Sequence, residues 1–514
     1  MNKLYTYKFN YYYDLKTVKA NTPLSLDVDG LLWPGAGITI YRNSTTSTIH
    51  TEMKHIRTKQ LDRNFVLIAY DGGLAVFRGT SVGITLKVAK YELKDKEGKP
   101  FGVWELIHVG EKRYIVVGRR EFIPIEVVLT RQDKEVSVEF LEGEHVIIEN
   151  DDDDFPHFDN LDDKSFAVVY ESGPLLYTTT GRWEGSGKGS KLVFEKSEPL
   201  HLRLHFHGVA GLDSNHYIVT ATGPVFNVST SVSTVRTWLI TINPDKSLEI
   251  QDHVNLPWTF SDNWFAMDNI DESTVVLCYT DNTDGGIRSV LVRYNSETNT
   301  ISYGAQVTLQ RGGAVVNHEH TDLAILNRNR YVVTWNDAQA NAIVMVMVAR
   351  TWTNDLVVAS PEYVLSRSTW RDPVNRFYFD VCAITDEHFM IVEGRENRGL
   401  IDTRCHLGAT YPRFFGIAKE DGVLDKKNTL KGRRLGIVNV QLGGIVTLKK
   451  GVLTPGRSVY TNSRGELIQG RPYGYATRSF GSFYLYDDAT NSIIDSRNIL
   501  GIATTKKKIM LRYQ

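Results

Sequence analysis

The feature that most constrains the fold is a short pattern that recurs seven times. Each copy reads as the end of one strand, a tight polar turn, and a second strand of alternating apolar residues. Aligned on the first large residue of the second strand, the copies begin at Phe65, Tyr114, Phe166, Tyr217, Val275, Tyr331 and Phe389. They are spaced 49 to 58 residues apart, a period that points to a solenoid, a propeller or an array. Five residues before the anchor, six copies carry Val109, Leu161, Leu212, Ile270, Leu326 and Ile384, and the first has Leu61 one residue nearer. Eight residues before it, the same six carry Leu106, Phe158, Val209, Met267, Leu323 and Val381. Two apolar positions fixed relative to a turn describe a hairpin covered on both faces by neighbours. Further strands follow several copies, as in IRSVLVRYNSETNTISYGAQVTL after Val275. Four strands per repeat, seven times, with almost no helical periodicity, predict an all-β chain built around a seven-bladed β-propeller. A β-solenoid would have shorter and more regular rungs.

The repeats occupy 53–410, and both flanks differ from them. The N-terminal segment, 1–52, alternates Tyr5, Tyr7, Phe9, Tyr11 and Tyr13 along one strand face. Residues 411–514 are short strands broken by Pro-Gly and Arg-Gly turns, as in a small β-barrel or sandwich. A ring must be entered and left at adjacent blades, so the two flanks are expected to meet. The N-terminal strand should then pair with, or pack on, the C-terminal sheet as one composite attachment domain.

The formal net charge of -1 argues against a general nucleic-acid or membrane-surface binder. It conceals an asymmetry: 411–514 hold 18 Lys and Arg against 7 Asp and Glu, a surplus of +11, which leaves −12 on the remainder. Three cysteines, Cys278, Cys382 and Cys405, form no framework and fit synthesis in a reducing cytoplasm. The N-terminus lacks the apolar core of a signal peptide, and no apolar run is long enough to span a bilayer as a helix.

One segment carries a resemblance. GVLTPGRSVYTNSRGEL, Gly451–Leu467, resembles a segment found near the C-termini of many phage tail and virion proteins. The family pattern continues with a strand matched here by Leu500-Gly501-Ile502-Ala503 and a final apolar strand matched by Ile509-Met510-Leu511. FGIAKEDG, Phe415–Gly422, is similar to the strand with which such modules begin. The match covers about a fifth of the chain. It departs at Val459, where the pattern has an aromatic, and at the insertion Ser479–Arg497. A propeller with barrel-like terminal domains resembles the baseplate or tail-fibre propeller proteins of phiKZ-like giant tailed phages. That resemblance implies a virion protein made in the bacterial cytoplasm. Its partners would be other virion proteins and a bacterial surface glycan, with no nucleic acid and no membrane insertion.

Several residues are candidates for chemistry. His201, His205 and His207 share one face of a strand, and His318 and His320 precede the sixth anchor at a nearly equivalent place. Paired imidazoles can bind a transition metal. Without further ligands at recognisable spacing, His205, His207, His318 and His320 read instead as a hydrogen-bonded channel mouth. Nine residues before their anchors lie Glu105, His157, Asp322 and Asp380, which predict an acidic ring in the axial channel. Carboxylates there could hold a cation or act as the acid and base of a glycoside hydrolase. No sialidase Asp-box accompanies them, and they read as solvated lining. The run Asp151–Asp154, with Asp159, Asp162 and Asp163 following, lacks the spacing of a calcium loop and reads as a solvated inter-blade loop. Trp258, Trp264, Trp352 and Trp370 are aromatic candidates for stacking on sugars. Arg433, Arg434, Lys506, Lys507 and Lys508 are candidate attachment residues together with the N-terminal aromatics.

The expected function is a non-enzymatic virion structural protein without a cofactor, attached by its basic terminal module and projecting its propeller. The alternative is a propeller enzyme, a glycoside hydrolase or lyase, acting on surface polysaccharide.

Overall fold

A computed structural model of the chain describes residues 55–62, 65–79, 85–132, 135–147, 156–202, 206–224, 233–260, 265–281, 283–310, 321–337, 342–350, 355–358, 363–367, 377–385, 388–397 and 400–409. Towards the two chain ends it describes the strands named below together with Leu32–Pro34, Val423–Leu430, Asp421 and Leu453. Among these residues everything regular is β, apart from one 3-10 turn at Gly187–Gly189.

The repeats form seven antiparallel sheets, and in blades 1 to 6 the first four strands run outward in chain order. Their innermost strands are Ile56–Asp62, Glu105–Gly110, His157–Asn160, Phe206–Asp213, Ala266–Asp271, Thr321–Asn327 and Phe377–Ala383, which number blades 1 to 7. Each innermost strand touches the next, and that of blade 7 touches that of blade 1. The ring is therefore closed, and the protein is a seven-bladed β-propeller. The second strands start at Phe65, Arg113, Ser165, His216, Thr274, Arg330 and His388, within one residue of every anchor. Blades 2 to 6 carry a fifth strand, which pairs beside the fourth on the third strand. In blade 7 both the fourth and the fifth places are filled from the N-terminal side of the chain. Ile49–His50 pairs with Thr403 and Asp402, and Thr39–Ile40 pairs with Ala409 and Gly408. Closure by chain from both ends of the repeat region is what the topology required.

The hairpin turns form because their first residue caps them. Asp162, Asp213, Asp271 and Asn327 each accept the backbone N–H two residues on, at 2.7–3.0 Å. In blade 7 Thr385 Oγ1 takes the N–H of His388 at 3.1 Å. These side chains mimic a turn carbonyl, which is why blades 3 to 7 have a polar residue four before the anchor; blade 2 has Gly110 there. The anchors themselves are core. Tyr114, Phe166, Tyr217, Val275, Tyr331 and Phe389 are fully buried, as are the apolar residues five before them. Three anchor hydroxyls cross to the preceding blade: Tyr114 to the Gln60 carbonyl at 2.9 Å, Tyr217 to Thr178 Oγ1 at 2.9 Å, and Tyr331 to Ser289 Oγ at 2.8 Å. Blades approach closely where glycine permits. A Cβ on Gly211 would lie 2.0 Å from the Asn160 carbonyl oxygen.

The chain divides into two compact units, residues 43–344 with 364–407, and residues 1–42 with 345–363 and 408–514. The first contains the innermost strands of all seven blades. In the second, Thr6–Tyr12 pairs antiparallel with Arg433–Gln441 in the register Thr6↔Gln441 to Tyr12↔Leu435. Pro23–Leu26 pairs with Phe414–Ala418, and both pairs belong to one six-stranded sheet. A five-stranded sheet contains Ile445–Thr447, Lys508–Leu511, Gly501–Thr505, Ser458–Thr461 and Leu467–Ile468. Arg471–Pro472, Tyr484–Asp487 and Ser492–Asp495 form a three-stranded sheet. Chain from both ends thus shares one sheet.

Candidate functional site: the axial cavity

The innermost strands enclose an axial cavity of about 170 Å³. Its lining includes Glu105, His157, Asp322 and Asp380, and also Arg57, Lys59, Asp159, His207 and Asp268. Strand register explains the grouping. Arg57, Glu105, His157, Asp322 and Asp380 lie three pairs in from the pair that holds the anchor (Val66 in blade 1), opposite Ala69, Val117, Val169, Thr334 and Val392. Lys59, Asp159 and Asp268 lie one pair in, opposite Leu67, Ala167 and Val276. The cavity therefore has two tiers, one with a guanidinium, three carboxyls and an imidazole, the other with an ammonium and two carboxyls.

Spacing places Glu105, His157, Asp322 and Asp380 at the axis and the sequence reading puts His207 at the channel mouth, while Arg57, Lys59, Asp159 and Asp268 join the lining unexpectedly for identifiable reasons. In blade 1 the pair equivalent to His108↔Tyr114 is Gln60↔Val66, so Val66, not Phe65, is the structural anchor. Counting from Val66 puts Leu61 five residues before and Arg57 nine before, in line with the other blades. Asp159 and Asp268 stand seven residues before their anchors, and Asp159, expected in a solvated inter-blade loop, lies instead in the enclosed lining of the cavity. Both follow from the two-residue periodicity of a strand.

Most of these carboxyls are not solvated lining, contrary to the sequence reading. They bind the backbone of the next blade. Glu105 accepts from Phe158 N at 3.1 Å, Asp159 from Gly211 N at 2.7 Å, and Asp322 from Val381 N at 2.8 Å. Asp380 accepts from both Thr58 N at 2.6 Å and Thr58 Oγ1 at 2.5 Å, across the seam between the last blade and the first. The cause is geometric. Converging innermost strands are too far apart to pair along their whole length, and a short acidic side chain spans the gap to an N–H that would otherwise lack a partner.

Enclosure sets the electrostatics. Burial, and then the charge of Asp380, pushes Asp322 well above the usual carboxylate range, and the two carboxyls hydrogen-bond each other. Burial raises Asp380 as well, against the opposing pull of Arg57 and Thr58. Burial and the charge of Asp268 lift Asp159 to about 7, despite Lys59 and two backbone N–H donors. Burial raises Asp268 too, opposed by Lys59. For Lys59, burial acts downward, but Asp268, Asp159, Glu105 and Asp380 outweigh it and its pKa is raised. The chemistry available is a self-compensated set of carboxyls around two resident cations.

At one side the rings of His157 and His207 meet edge-on at 5.2 Å. His157 Nδ1 is 3.6 Å from Glu105 Oε2, and His207 Nδ1 is 3.8 Å from Glu171 Oε1. Trp104 packs against His157 at 6.1 Å and lies under Arg57 at 5.9 Å. Among the described residues no three His, Cys, Asp or Glu side chains are arranged to hold a metal ion. His205, His318, His320, Tyr5, Tyr13, Lys506 and Lys507 lie outside the described residues, as do Asp151–Asp154, Trp264, Trp352 and Trp370. Tyr7, Phe9 and Tyr11 occupy alternate positions of their strand, opposite Val440, Val438 and Gly436. Arg433 and Arg434 start the strand that pairs with it. Lys508 is exposed. Trp258 is partly buried against blade 5 and meets Tyr303 edge-on at 6.5 Å.

No protein-family model and no curated protein matches the chain. Among solved structures, it is similar to the β-propeller domain of Vanderwaltozyma polyspora Nup133, at 10% identity and a TM-score of 0.43, over 72% of this chain and 98% of that one. It is also similar to the WD40 domain of SCAP from fission yeast, at 9% identity and a TM-score of 0.34, over 70% and 96% of the two chains. A subtype N11 neuraminidase-like protein of the virus A/flat-faced bat/Peru/033/2010 gives 8% identity and 0.33, over 76% and 97%. At such scores these likenesses carry no argument about function, and the fold rests on the strand pairing above.

Proposed function

We propose that the chain is a non-enzymatic structural protein of a phage particle, of the tail or baseplate fibre type. Its terminal sheets attach to other virion proteins, and its propeller presents a surface to a protein or to the host envelope. The observation that carries this reading is the sheet shared by Thr6–Tyr12 and Arg433–Gln441. Both chain ends are woven into the part of the molecule whose sequence resembles virion attachment modules, and 411–514 hold the surplus of +11. The carboxyls of the axial cavity support it as well, since Glu105, Asp159, Asp322 and Asp380 are engaged by backbone donors of neighbouring blades. Immunogold labelling of purified virions with antibody against the full chain tests the reading. Decoration at a fixed site on the tail or baseplate is expected, and particles free of label overturn it.

A hydrolase reading has one observation in its favour, the hydrogen-bonded pair Asp322 and Asp380. Release of oligosaccharide from host surface polysaccharide by the purified protein, lost in Asp322→Asn and Asp380→Asn, would replace the structural reading with that one.

A further inference from the structure

Away from the axis, a second titratable cluster lies at the outer rim between blades 1 and 2. Blades radiate from the axis, so their outer strands diverge and a contact there needs side chains that reach. Tyr91, on the fourth strand of blade 1, Thr85–Glu92, stacks on Phe140 of the fourth strand of blade 2, Glu135–Glu142, with ring centroids 5.1 Å apart. Its hydroxyl donates to Glu142 Oε2 at 2.9 Å. The other oxygen of Glu142 lies 2.7 Å from His145 Nε2, and His145 Nδ1 lies 2.5 Å from Glu121 Oε1. Glu121 Oε1 also accepts Lys96 N, from the chain that connects the two blades, at 3.2 Å. The imidazole is thus the middle link between two carboxyls, each of which reaches back towards blade 1. The turn before it is pinned on both sides. Gly143 N donates to the Pro124 carbonyl at 2.8 Å, and Glu144 N to the Ser190 carbonyl of blade 3 at 2.7 Å.

A neutral imidazole has one N–H and one lone pair, whereas the imidazolium donates from both nitrogens. With a carboxyl oxygen at each nitrogen, only the protonated ring makes both bonds, and a neutral ring sets its lone pair against one carboxylate. Each carboxyl also accepts a further donor, as an ionised group does. The Tyr91 hydroxyl keeps its proton, since burial and the bond to Glu142 push it up to about 12. The other charged residues nearby, Lys96, Arg119, Arg120, Glu144 and Lys188 of blade 3, are exposed, and Lys191 pairs with Glu184 at 3.2 Å. The rim between blades 4 and 5 offers a contrast. There Tyr303 donates to the Val254 carbonyl at 3.1 Å, an acceptor that does not titrate. We propose that His145 is a proton-operated clasp between blades 1 and 2, doubly protonated when closed and released as its proton leaves. Its bonds favour the charged ring, so their contribution is full in acid and is lost as pH rises.

The test is hydrogen exchange of the full chain from about pH 6 to about pH 9, with rates corrected for the intrinsic pH dependence of exchange. In the wild type, protection at Lys96 and along Thr85–Glu92 is expected to fall about tenfold across that range, the worth of one charge-assisted hydrogen bond. His145→Gln cannot ionise and should show the low protection at every pH. Tyr91→Phe cuts the link from Glu142 to blade 1 but leaves the imidazole between its carboxyls. It should keep the pH dependence at Lys96 and lose it along Thr85–Glu92. Wild-type protection that does not change with pH, or an equal fall in His145→Gln, would overturn the proposal. If His145→Gln fails to fold, nitrogen NMR of the wild type labelled with 15N-histidine decides the matter. The His145 ring, assigned by its displacement in Tyr91→Phe, should carry two N–H groups at the acid end of the range and one at the alkaline end. One N–H in acid, or two that persist in alkali, would overturn the clasp.

Discussion

At the scale of single residues, a carboxyl in the axial ring is worth what it bonds. Asp380 takes two donors from Thr58 across the blade 7 to blade 1 seam. Its replacement by alanine leaves a buried N–H and hydroxyl unpaired and is expected to cost about 2–3 kcal/mol in urea unfolding. Gly211 presents the opposite problem, since an added methyl meets the Asn160 carbonyl. Gly211→Ala should cost about 1–3 kcal/mol, because both partners are backbone and neither can swing aside. Asp159 supplies a pH signature. Its folded pKa, raised to about 7 by burial and Asp268, exceeds that of an unfolded aspartate, so the native state holds more protons between the two values. Its contribution to stability is therefore present in acid and is lost as pH rises from about 4 to about 7. Asp159→Asn keeps an oxygen for Gly211 N and removes the titration. Measured from pH 4 to 8, the stability of the variant relative to the wild type should rise up to about pH 7 and then level off. These roles were only partly legible in the sequence. Spacing brought Glu105, His157, Asp322 and Asp380 to the axis, but which oxygen meets which N–H depends on the curvature of the closed ring. Arg57 was hidden because blade 1 is offset by one residue against its apparent anchor, and Lys59 because it stands seven before the true anchor, in the tier of Asp159 and Asp268.

At the scale of the strand and turn, legibility was high because the signals are local. Period-2 alternation fixed the second strands to within a residue, and buried anchors such as Tyr217 and Tyr331 are also the residues that cross to the preceding blade. The polar residue four before the anchor proved to be the turn cap, a role its chemistry alone suggests. The fifth strands, such as Val254–Phe260 and Val307–Gln310, were not foreseen. They share the third strand with a fourth, and no periodicity reports two short strands that divide one edge. A turn cap at the solvent is worth less than an axial carboxyl. Asp271→Ala removes an exposed acceptor for Ser273 N and Oγ and should cost about 1 kcal/mol, well short of Asp380→Ala. Equal losses in the two variants would mean that the axial bonds matter no more than surface turns.

At the scale of the whole molecule, the ring is a cooperative object because each innermost strand depends on two neighbours and none is terminal. Its buried thiols provide a report on opening. Cys278 and Cys382 are pushed up to about 12 by burial, and Cys405 higher still. All three are enclosed, so at pH 8 the native protein should leave a thiol reagent unreacted and the unfolded chain should consume three equivalents. The account's central claim is that the axial carboxyls hold the ring shut, and hydrogen exchange on Asp380→Ala tests it most directly. If the claim holds, protection falls at Thr58 and Val381 and also along the innermost strands of the remaining blades, since a seam opened between blade 7 and blade 1 loosens the whole circle. Loss of protection confined to Thr58 and its immediate neighbours, with the other five innermost strands exchanging as in the wild type, would contradict it.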